Sequence, residues 1–183
     1  MKNVIVLVSL FLTGLISVHA QEKINWISVE KAQELIKKEP RKVIMDVYTT
    51  WCGPCKALDK NTFGNPDVAK YINENYYAVK FNAESDIDVT YKGQTYTNPN
   101  YDPNRKGKRN AQHLFAQFLR VRAYPTMVFF DSDFNVIAPI SGYLLPKQLE
   151  IYLKLFKNDT YKEINTKEDW EKYQKEFVNE FKS

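Results

Sequence analysis

The chain has few of the residues that build metal sites and disulfide frameworks. Among its 183 residues there are two cysteines and two histidines. A structural zinc site needs four Cys, His or carboxylate ligands, and a disulfide-rich secreted scaffold needs several cysteine pairs, so the composition argues against both classes. A formal net charge of +4 is small and gives little reason to expect nucleic-acid binding. With 44% apolar residues, a domain of this length can instead fold around a core of its own.

The longest apolar run lies at the start of the chain. Lys2 precedes it, the run extends from Val4 to Val18, and small residues before Gln21 offer a cleavage point after Ala20. This layout is typical of a secretory signal peptide, although an uncleaved membrane anchor is an alternative for which the run is short. We therefore predict a signal peptide over residues 1–20 and a mature domain over residues 21–183. The domain is expected to be periplasmic or secreted and to contact a membrane only through the signal segment.

The first half of the mature chain has the pattern of a βαβ unit. A helix capped by Ser28 precedes residues Val43 to Tyr48, which are almost all apolar, as in a central strand buried on both faces. A helical segment follows and is broken at Gly64 and Pro66. Residues Tyr77 to Phe81 then form a second strand. Two strands joined by a helical crossover predict a parallel pair.

The second half contains an insertion, a hairpin and further helices. Residues 84–109 are rich in Asn, Asp, Gly, Pro and Tyr and exceed the usual length of a connection, so we predict a loop insertion there. Thr126–Phe130 and Val136–Ile140 predict a β-hairpin, and a core helix starts at Pro146. A helical extension is predicted over residues 159–183. We expect an aromatic stripe of this extension to pack on the core: Trp170, Tyr173, Phe177 and Phe181.

The two cysteines occur as Cys52-Gly53-Pro54-Cys55, at the start of the helix that follows the first strand. This spacing places both sulfurs within one helical turn, close enough to form and break a disulfide. Backbone N–H groups at a helix start lower the pKa of a thiol, so we expect Cys52 to be an exposed nucleophile and Cys55 a partly buried resolving thiol. Half of a metal site and a static disulfide have the same spacing. Because a second Cys pair is missing and so small a loop would stabilise little, redox turnover is favoured.

Three sequence segments resemble the thioredoxin superfamily. Trp51-Cys52-Gly53-Pro54-Cys55-Lys56 matches the thioredoxin active-site signature residue for residue. Residues 121–126 look like the segment with the family's cis-proline, and Ser141-Gly142 looks like the glycine turn before the last helix. Residues 45–63 are most similar to exported members, in particular to the C-terminal domain of DsbD disulfide-interchange proteins. The resemblance implies an α/β thioredoxin fold, a central mixed β-sheet flanked by helices, here with a long insertion and an extra C-terminal helix.

The resemblance also implies roles for individual residues. In the family, an acid that matches Asp46 lies beneath the second cysteine and shuttles its proton, and burial would raise its pKa to suit that role. A hydrogen-bonded, solvated Asp at a strand edge is the alternative. Lys80 matches the cation that pairs with this acid, although an exposed strand Lys fits equally well. Active-site support is expected from Trp51, Gly53, Pro54 and Lys56, and substrate binding from Tyr124, Pro125, Thr126 and Gly142.

The function implied by the resemblance is thiol–disulfide exchange. The redox-active group would be the Cys52–Cys55 disulfide, with no dissociable cofactor and no metal. Because Gly-Pro between the cysteines and the acid at Asp46 resemble the reducing members, we predict that the protein reduces protein disulfides and receives electrons from a membrane donor. The alternatives are a disulfide oxidase or isomerase, a thioredoxin-like partner-binding module, and a metallochaperone.

Three further features of the second half allow a structural or a functional interpretation. The basic cluster at residues 105–109 is expected to be a solvated loop, with a docking element for an acidic partner or lipid headgroups as the alternative. His113 is expected to be a surface residue of the helix that starts near it. Tyr91, Tyr96 and Tyr101 of the insertion could form a recognition surface near the active site.

Overall fold

The computed structural model describes residues 22–182, so the expected signal peptide over residues 1–20 lies outside the described residues. The strands are β1 (Trp26–Ile27), β2 (Lys42–Tyr48), β3 (Tyr76–Asn82), β4 (Val89–Tyr91), β5 (Gln94–Tyr96), β6 (Thr126–Phe130) and β7 (Val136–Ser141). The helices are α1 (Val29–Ile36), α2 (Gly53–Leu58), α3 (Pro66–Asn75), α4 (Leu114–Phe118), α5 (Pro146–Lys157) and α6 (Lys167–Glu176). A π-helical turn over Asp59–Phe63 continues α2.

Capping side chains fix where several helices start. The Ser28 hydroxyl accepts the backbone N–H of Lys31 at 3.1 Å and starts α1. The Asn65 side chain accepts two backbone N–H groups at the start of α3. Thr166 and Asp169 bond to each other's backbone N–H groups at the start of α6. These residues bind amide groups that have no partner within the helix, which explains why each helix starts there.

The central sheet has five strands in the order β1-β3-β2-β6-β7. β1, β3 and β2 are parallel, whereas β6 is antiparallel to β2 and β7 is antiparallel to β6. β2 lies in the middle, and residues 43–47 of it are buried because helices cover both faces. This is the mixed sheet flanked by helices that the sequence predicts, and the fold prediction is confirmed.

Strand β1 is absent from the sequence-based prediction. It contains two residues, Trp26 and Ile27, which are too few to give an alternating pattern. Pairing with Ala78 and Val79 of β3 creates the strand. Its Trp26 ring packs edge-on against Phe63, with the ring centroids 5.0 Å apart.

Alternation along β2 sends its side chains into two apolar clusters, one on each face of the sheet. Val43, Met45 and Val47 enter the cluster that includes α1 and α4. Ile44 enters the cluster that includes α2, α3 and α5. Asp46 shares the parity of Ile44 and therefore lies on the face of the sheet that α2 covers.

The insertion predicted over residues 84–109 contains structure of its own. It forms the β4–β5 hairpin and a short 3-10 turn at Pro103–Arg105. Tyr91 and Tyr96 are buried, at 5% and 8% exposure, and pack around Phe115, so the expectation that they form a recognition surface is wrong. Burial of their large apolar rings attaches the hairpin to the core.

His113 is fully buried, and the prediction of a surface residue is wrong. Its Nδ1 accepts the backbone N–H of Phe115 at 3.0 Å and caps α4. Because Nδ1 is an acceptor, Nε2 carries the proton and donates to the carbonyl oxygen of Ile87 at 3.0 Å. Burial lowers the pKa of His113, so the neutral ring ties α4 to the insertion.

The C-terminal extension packs on α5, as predicted. Trp170 of α6 stacks on Tyr152, with the ring centroids 5.6 Å apart, and Phe181 is buried in the core cluster. The buried carboxylate of Glu150 accepts the backbone N–H groups of Glu180 and Phe181. The helix ends at Glu176, so Phe181 reaches the core from non-helical chain rather than from the predicted helix. Within residues 22–182, no helix is long and apolar enough to cross a membrane.

Candidate functional site

Cys52 and Cys55 are joined by a disulfide at the N-terminus of α2, directly after β2. Their Cα atoms are 5.3 Å apart. Cys52 has extended backbone and caps the helix, and its Sγ accepts the backbone N–H of Cys55 at 3.1 Å. Pro54 lies in the first turn, where its missing N–H is not needed. The amide that caps onto Cys52 Sγ would stabilise a thiolate there after reduction.

The expectation that Cys52 is exposed is wrong for the disulfide form. Cys52 and Cys55 are both 3% exposed. The Sγ of Cys52 is turned inward because it is bonded to Cys55 and accepts the Cys55 N–H. Cys52 nevertheless lines a cavity at the protein surface.

This cavity, which we call the disulfide cavity, has a volume of about 560 Å³ and is lined in part by Cys52, Trp51 and Tyr124. The rings of Trp51 and Tyr124 meet edge-on, with centroids 6.2 Å apart. The Tyr124–Pro125 peptide bond is cis. The carbonyl oxygen of Pro125 accepts the N–H of Gly142 at 2.9 Å, which joins the proline loop to the glycine turn. The expected aromatic residues and the two loops therefore lie together at one end of the sheet.

The insertion supplies one wall of the disulfide cavity, a contribution that sequence reasoning missed. Glu84, Arg109 and Asn110 line it. Oε2 of Glu84 accepts the indole N–H of Trp51 at 2.6 Å and the backbone N–H of Asn110 at 2.8 Å. The guanidinium of Arg109 lies 4.6 Å from the centre of the Trp51 ring. Trp51 is therefore held between the two ends of the insertion.

A second group of charged residues, Lys80 and Asp59, surrounds Asp46 on the face of the sheet that α2 covers. Asp46 is 2% exposed, and its Oδ2 lies 3.4 Å from Nζ of Lys80, its neighbour in register on β3. Lys80 also forms an ion pair with Asp59. The pKa of Asp46 is raised to about 7, mainly by burial. The charge of Lys80 opposes this rise in pKa, and the Asp59 carboxylate adds to it. Because Oδ1 of Asp46 has no hydrogen-bond partner among the described residues, the protonated form is favoured at this site.

Asp59 connects this group to the cysteines, and sequence reasoning did not identify it. Its backbone N–H donates to the carbonyl oxygens of Cys55 and Lys56, and its carboxylate binds the Lys80 that also contacts Asp46. The available signal was its position four residues after Cys55, which places both on one face of a helix. Asp46 is thus linked to the turn that carries Cys55 through one shared lysine.

The remaining predicted site residues differ in exposure. Gly53, Pro54 and Lys56 are exposed around the disulfide. Thr126 is fully buried, and its hydroxyl donates to the carbonyl oxygen of Ala123 and contacts the Ser141 hydroxyl. Its side chain therefore stabilises the proline loop instead of facing the cavity. Gly142 has a φ of +111°, a conformation that other residues rarely adopt.

Over the part of the chain that the structure describes, no group of three or more His, Cys, Asp or Glu side chains is arranged to hold a metal ion. The groups collected around the disulfide are instead a buried acid, a lysine and an aromatic pair. Such a set can hold a thiolate and accept a proton, which are the two requirements of exchange between a dithiol and a disulfide.

Sequence comparison places this chain among redox proteins. Residues 29–157 match the thioredoxin-like domain family. The chain is 26% identical over 149 residues to the thiol:disulfide interchange protein DsbD of Pectobacterium atrosepticum, covering 79% of this chain and 22% of that protein. Its matches to four such DsbD proteins span between 14% and 22% of their length.

Structural comparison finds the same fold. A thioredoxin-fold protein from Helicobacter pylori superposes with a TM-score of 0.55 at 18% identity, covering 86% of this chain and 87% of that chain. A thioredoxin from Thermus thermophilus gives a TM-score of 0.52 at 16% identity, covering 72% of this chain and 85% of that chain. At these identities the likeness establishes the fold and leaves the substrate open.

Proposed function

This chain belongs to the thioredoxin-like domain family, and we propose that it is an exported thiol–disulfide oxidoreductase that reduces disulfides in other proteins. The observation that carries the proposal is the Cys52–Cys55 disulfide at a helix start, connected through Asp59 and Lys80 to the buried acid Asp46. A static disulfide has no need of a titratable acid in the core, where a charge is costly.

Reduction would start from the dithiol form. The thiolate of Cys52, stabilised by the N–H of Cys55, attacks one sulfur of the substrate disulfide. A bond forms between Cys52 and that sulfur, the substrate disulfide breaks, and the second substrate sulfur leaves as a thiolate that takes a proton. The product of this step is a mixed disulfide between enzyme and substrate.

Resolution would use Cys55 and Asp46. Asp46 accepts the proton of the Cys55 thiol, and the resulting thiolate attacks Sγ of Cys52 and releases the first substrate sulfur. The first substrate sulfur leaves as a thiolate and takes up the proton that Asp46 holds. Two electrons have then passed from the enzyme dithiol to the substrate disulfide, and the two protons on the substrate thiols come from solvent and, through Asp46, from Cys55. A pKa of about 7 for Asp46 fits this role, because such an acid is partly ionised near neutral pH.

Substrate would bind in the disulfide cavity. Trp51 and Tyr124 offer apolar ring surface beside Cys52, and an extended peptide would lie along Arg122 and Ala123, which line the cavity just before the cis-proline. Capture of the mixed disulfide tests this step. A Cys55→Ser protein should accumulate a covalent complex with a disulfide-containing protein, and Cys52→Ser should form none. A partner-binding module, in contrast, would bind as well after Cys52→Ala as before.

The direction of transfer is the finer part of the proposal. We infer reduction because Gly53 and Pro54 between the cysteines and the acid at Asp46 resemble the reducing members of the family. After each cycle the disulfide must be reduced again, and in an oxidising compartment this requires a dithiol donor, which we infer to be a membrane protein. The DsbD relatives are named for thiol:disulfide interchange, which supports this chemistry for the present chain.

The reduction potential of the Cys52–Cys55 pair tests the direction. The protein would be equilibrated with ratios of reduced and oxidised dithiothreitol or glutathione, and the dithiol fraction measured by alkylation. We expect a value near about −270 mV, the value for thioredoxin. A value above about −180 mV would contradict the assignment as a reductase.

A disulfide oxidase or isomerase is the second candidate, and one observation favours it. Arg109 and Arg122 both line the disulfide cavity next to Cys52. Positive charge stabilises a thiolate, and stabilising the reduced form raises the potential towards that of DsbA, about −120 mV. The same titration separates the two candidates.

Export rests on the N-terminal segment, and its test is separate. We expect a chain expressed from Met1 in a bacterium to be recovered outside the cytoplasm with Gln21 as its first residue. Recovery in the membrane fraction with residues 1–20 intact would support the alternative of an uncleaved anchor.

A further inference from the structure

Two arginines line the disulfide cavity without a carboxylate partner. Arg109 comes from the insertion, and Arg122 comes from the segment before the cis-proline, so the two approach Cys52 from different parts of the chain. Both side chains are exposed, and neither forms an ion pair within residues 22–182. Their positive charge therefore faces the space that a substrate would enter.

The acidic group in the cavity offsets only one of these two positive charges. Glu84 is the one acidic residue among the lining residues described, and its Oε2 is occupied by the indole N–H of Trp51 and the backbone N–H of Asn110. Arg109 is held over the face of Trp51 at 4.6 Å, which fixes its guanidinium beside the redox pair. Three more cations of the same loop, Arg105, Lys106 and Lys108, are exposed and do not line the cavity.

We propose that Arg109 and Arg122 are specificity-determining residues that select disulfides flanked by Asp or Glu. This inference rests on the proposed function and names its substrate class. A guanidinium binds a carboxylate through two parallel N–H groups, so two arginines beside Cys52 bind acidic side chains on either side of the attacked disulfide. Such complementarity acts on the rate of productive encounter and on the choice between substrates.

Three synthetic peptides test the proposal. Each contains one intramolecular disulfide, and the residues next to both cysteines are Glu, Gln or Lys. Reduced protein is mixed with each peptide, and the second-order rate of thiol release is measured in single turnover. Because flanking charge changes the reactivity of the disulfide itself, each rate is divided by the rate of dithiothreitol with the same peptide. We expect the normalised rates to fall in the order Glu, Gln, Lys.

Substitutions then assign the preference to the two arginines. Arg109→Gln and Arg122→Gln should each reduce the ratio of the Glu rate to the Gln rate by about two- to fivefold, the range for an exposed ion pair. Arg122→Lys keeps the charge and should retain much of the ratio. Lys106→Gln and Lys108→Gln are matched controls, since they remove the same charge from the same loop without lining the cavity, and they should leave the ratio nearly unchanged.

The outcomes distinguish a failure of this inference from a failure of the proposed oxidoreductase function. Equal normalised rates for the Glu and Gln peptides overturn the preference and leave the oxidoreductase intact. A protein that reduces no peptide overturns both. If Lys106→Gln and Lys108→Gln lower the ratio as much as Arg122→Gln, a diffuse field of the loop is responsible and the assignment to the cavity arginines is wrong. The preference should also weaken between about 0.01 M and about 1 M salt, as the Debye length falls from about 30 Å to about 3 Å.

Discussion

Replacing the buried acid by its neutral analogue tests the electrostatics of the site directly. Asp46 has an ordinary pKa of 3.8, and burial raises it to about 7 in the folded protein. The folded state therefore binds more protons than the unfolded state between these values, and folding stability decreases as the pH rises through this window. The difference is about three pH units, which at about 1.36 kcal/mol each corresponds to roughly 4 kcal/mol lost above pH 7.

Asp46→Asn should relieve this loss. The side chain keeps its shape, and Lys80 keeps an ion pair with Asp59, so no lysine is left without a partner. The new amide can leave a buried N–H unbonded, which costs about 1–3 kcal/mol. We therefore expect the variant to be more stable than the wild type by about 1–3 kcal/mol above pH 7, and to react more slowly in the resolution step.

The assay is urea unfolding of the oxidised protein at about pH 5 and about pH 8.5. Between pH 5 and the raised Asp46 pKa of about 7, the wild type loses about 1.36 kcal/mol of stability per pH unit. The stability of the variant relative to the wild type should therefore increase by about 2–3 kcal/mol from the lower to the higher pH. Glu74→Gln on α3 is the control, since this carboxylate is 58% exposed and pairs with Lys70 rather than with Lys80, so the variant should keep the pH dependence that comes from Asp46. A stability difference that is the same at both pH values would refute the buried, raised-pKa description of Asp46.

Three further predictions concern the attachment of the insertion and the tail. Burial lowers the pKa of His113 below its ordinary 6.5, so its contribution to stability is present above that value and is lost as the pH falls through the lowered pKa. Because Asp46 changes stability in the opposite direction over the same range, the measurement is a difference: the stability of wild type relative to His113→Asn, from urea unfolding, should fall between about pH 7 and about pH 5. Glu84→Ala should cost about 1–2 kcal/mol and shift the fluorescence of Trp51, because it removes the acceptor of the indole N–H; unchanged emission would contradict the hydrogen bond. Glu150→Ala should cost about 1–3 kcal/mol and speed proteolysis after residue 176, measured by mass spectrometry of timed digests, whereas Glu171→Ala on the exposed face of α6 should change neither.

The sequence specified the elements whose patterns are local. The apolar run that became β2 and the hairpin of β6 and β7 were predicted to within one residue at either end, because a buried strand is recognisable from its own residues. The position of Cys52 and Cys55 at a helix start followed from the order of strand, Gly-Pro and helix. The pairing of Asp46 with Lys80 was expected from the family resemblance as one of two options. The structure places them in register on neighbouring strands.

Other features depend on contacts between distant segments. β1 is a strand because β3 lies beside it, and Asp59 joins the acid under the helix because Lys80 reaches it from another strand. The insertion was expected to be a loop, yet its tyrosines enter the core and its two ends meet at Trp51. His113 and Ile87 are 26 residues apart, and the hydrogen bond between them explains a burial that no local pattern indicates.

The sequence by itself thus determined the redox chemistry, because reactivity depends on residue type and on a spacing of three within one helical turn. Only the tertiary structure decided how that chemistry is surrounded: which acid is buried, how far Cys52 is enclosed, and which arginines line the disulfide cavity. Burial and electrostatics are properties of the space around a side chain, and in this protein residues from the insertion, the proline loop and two neighbouring strands fill that space together.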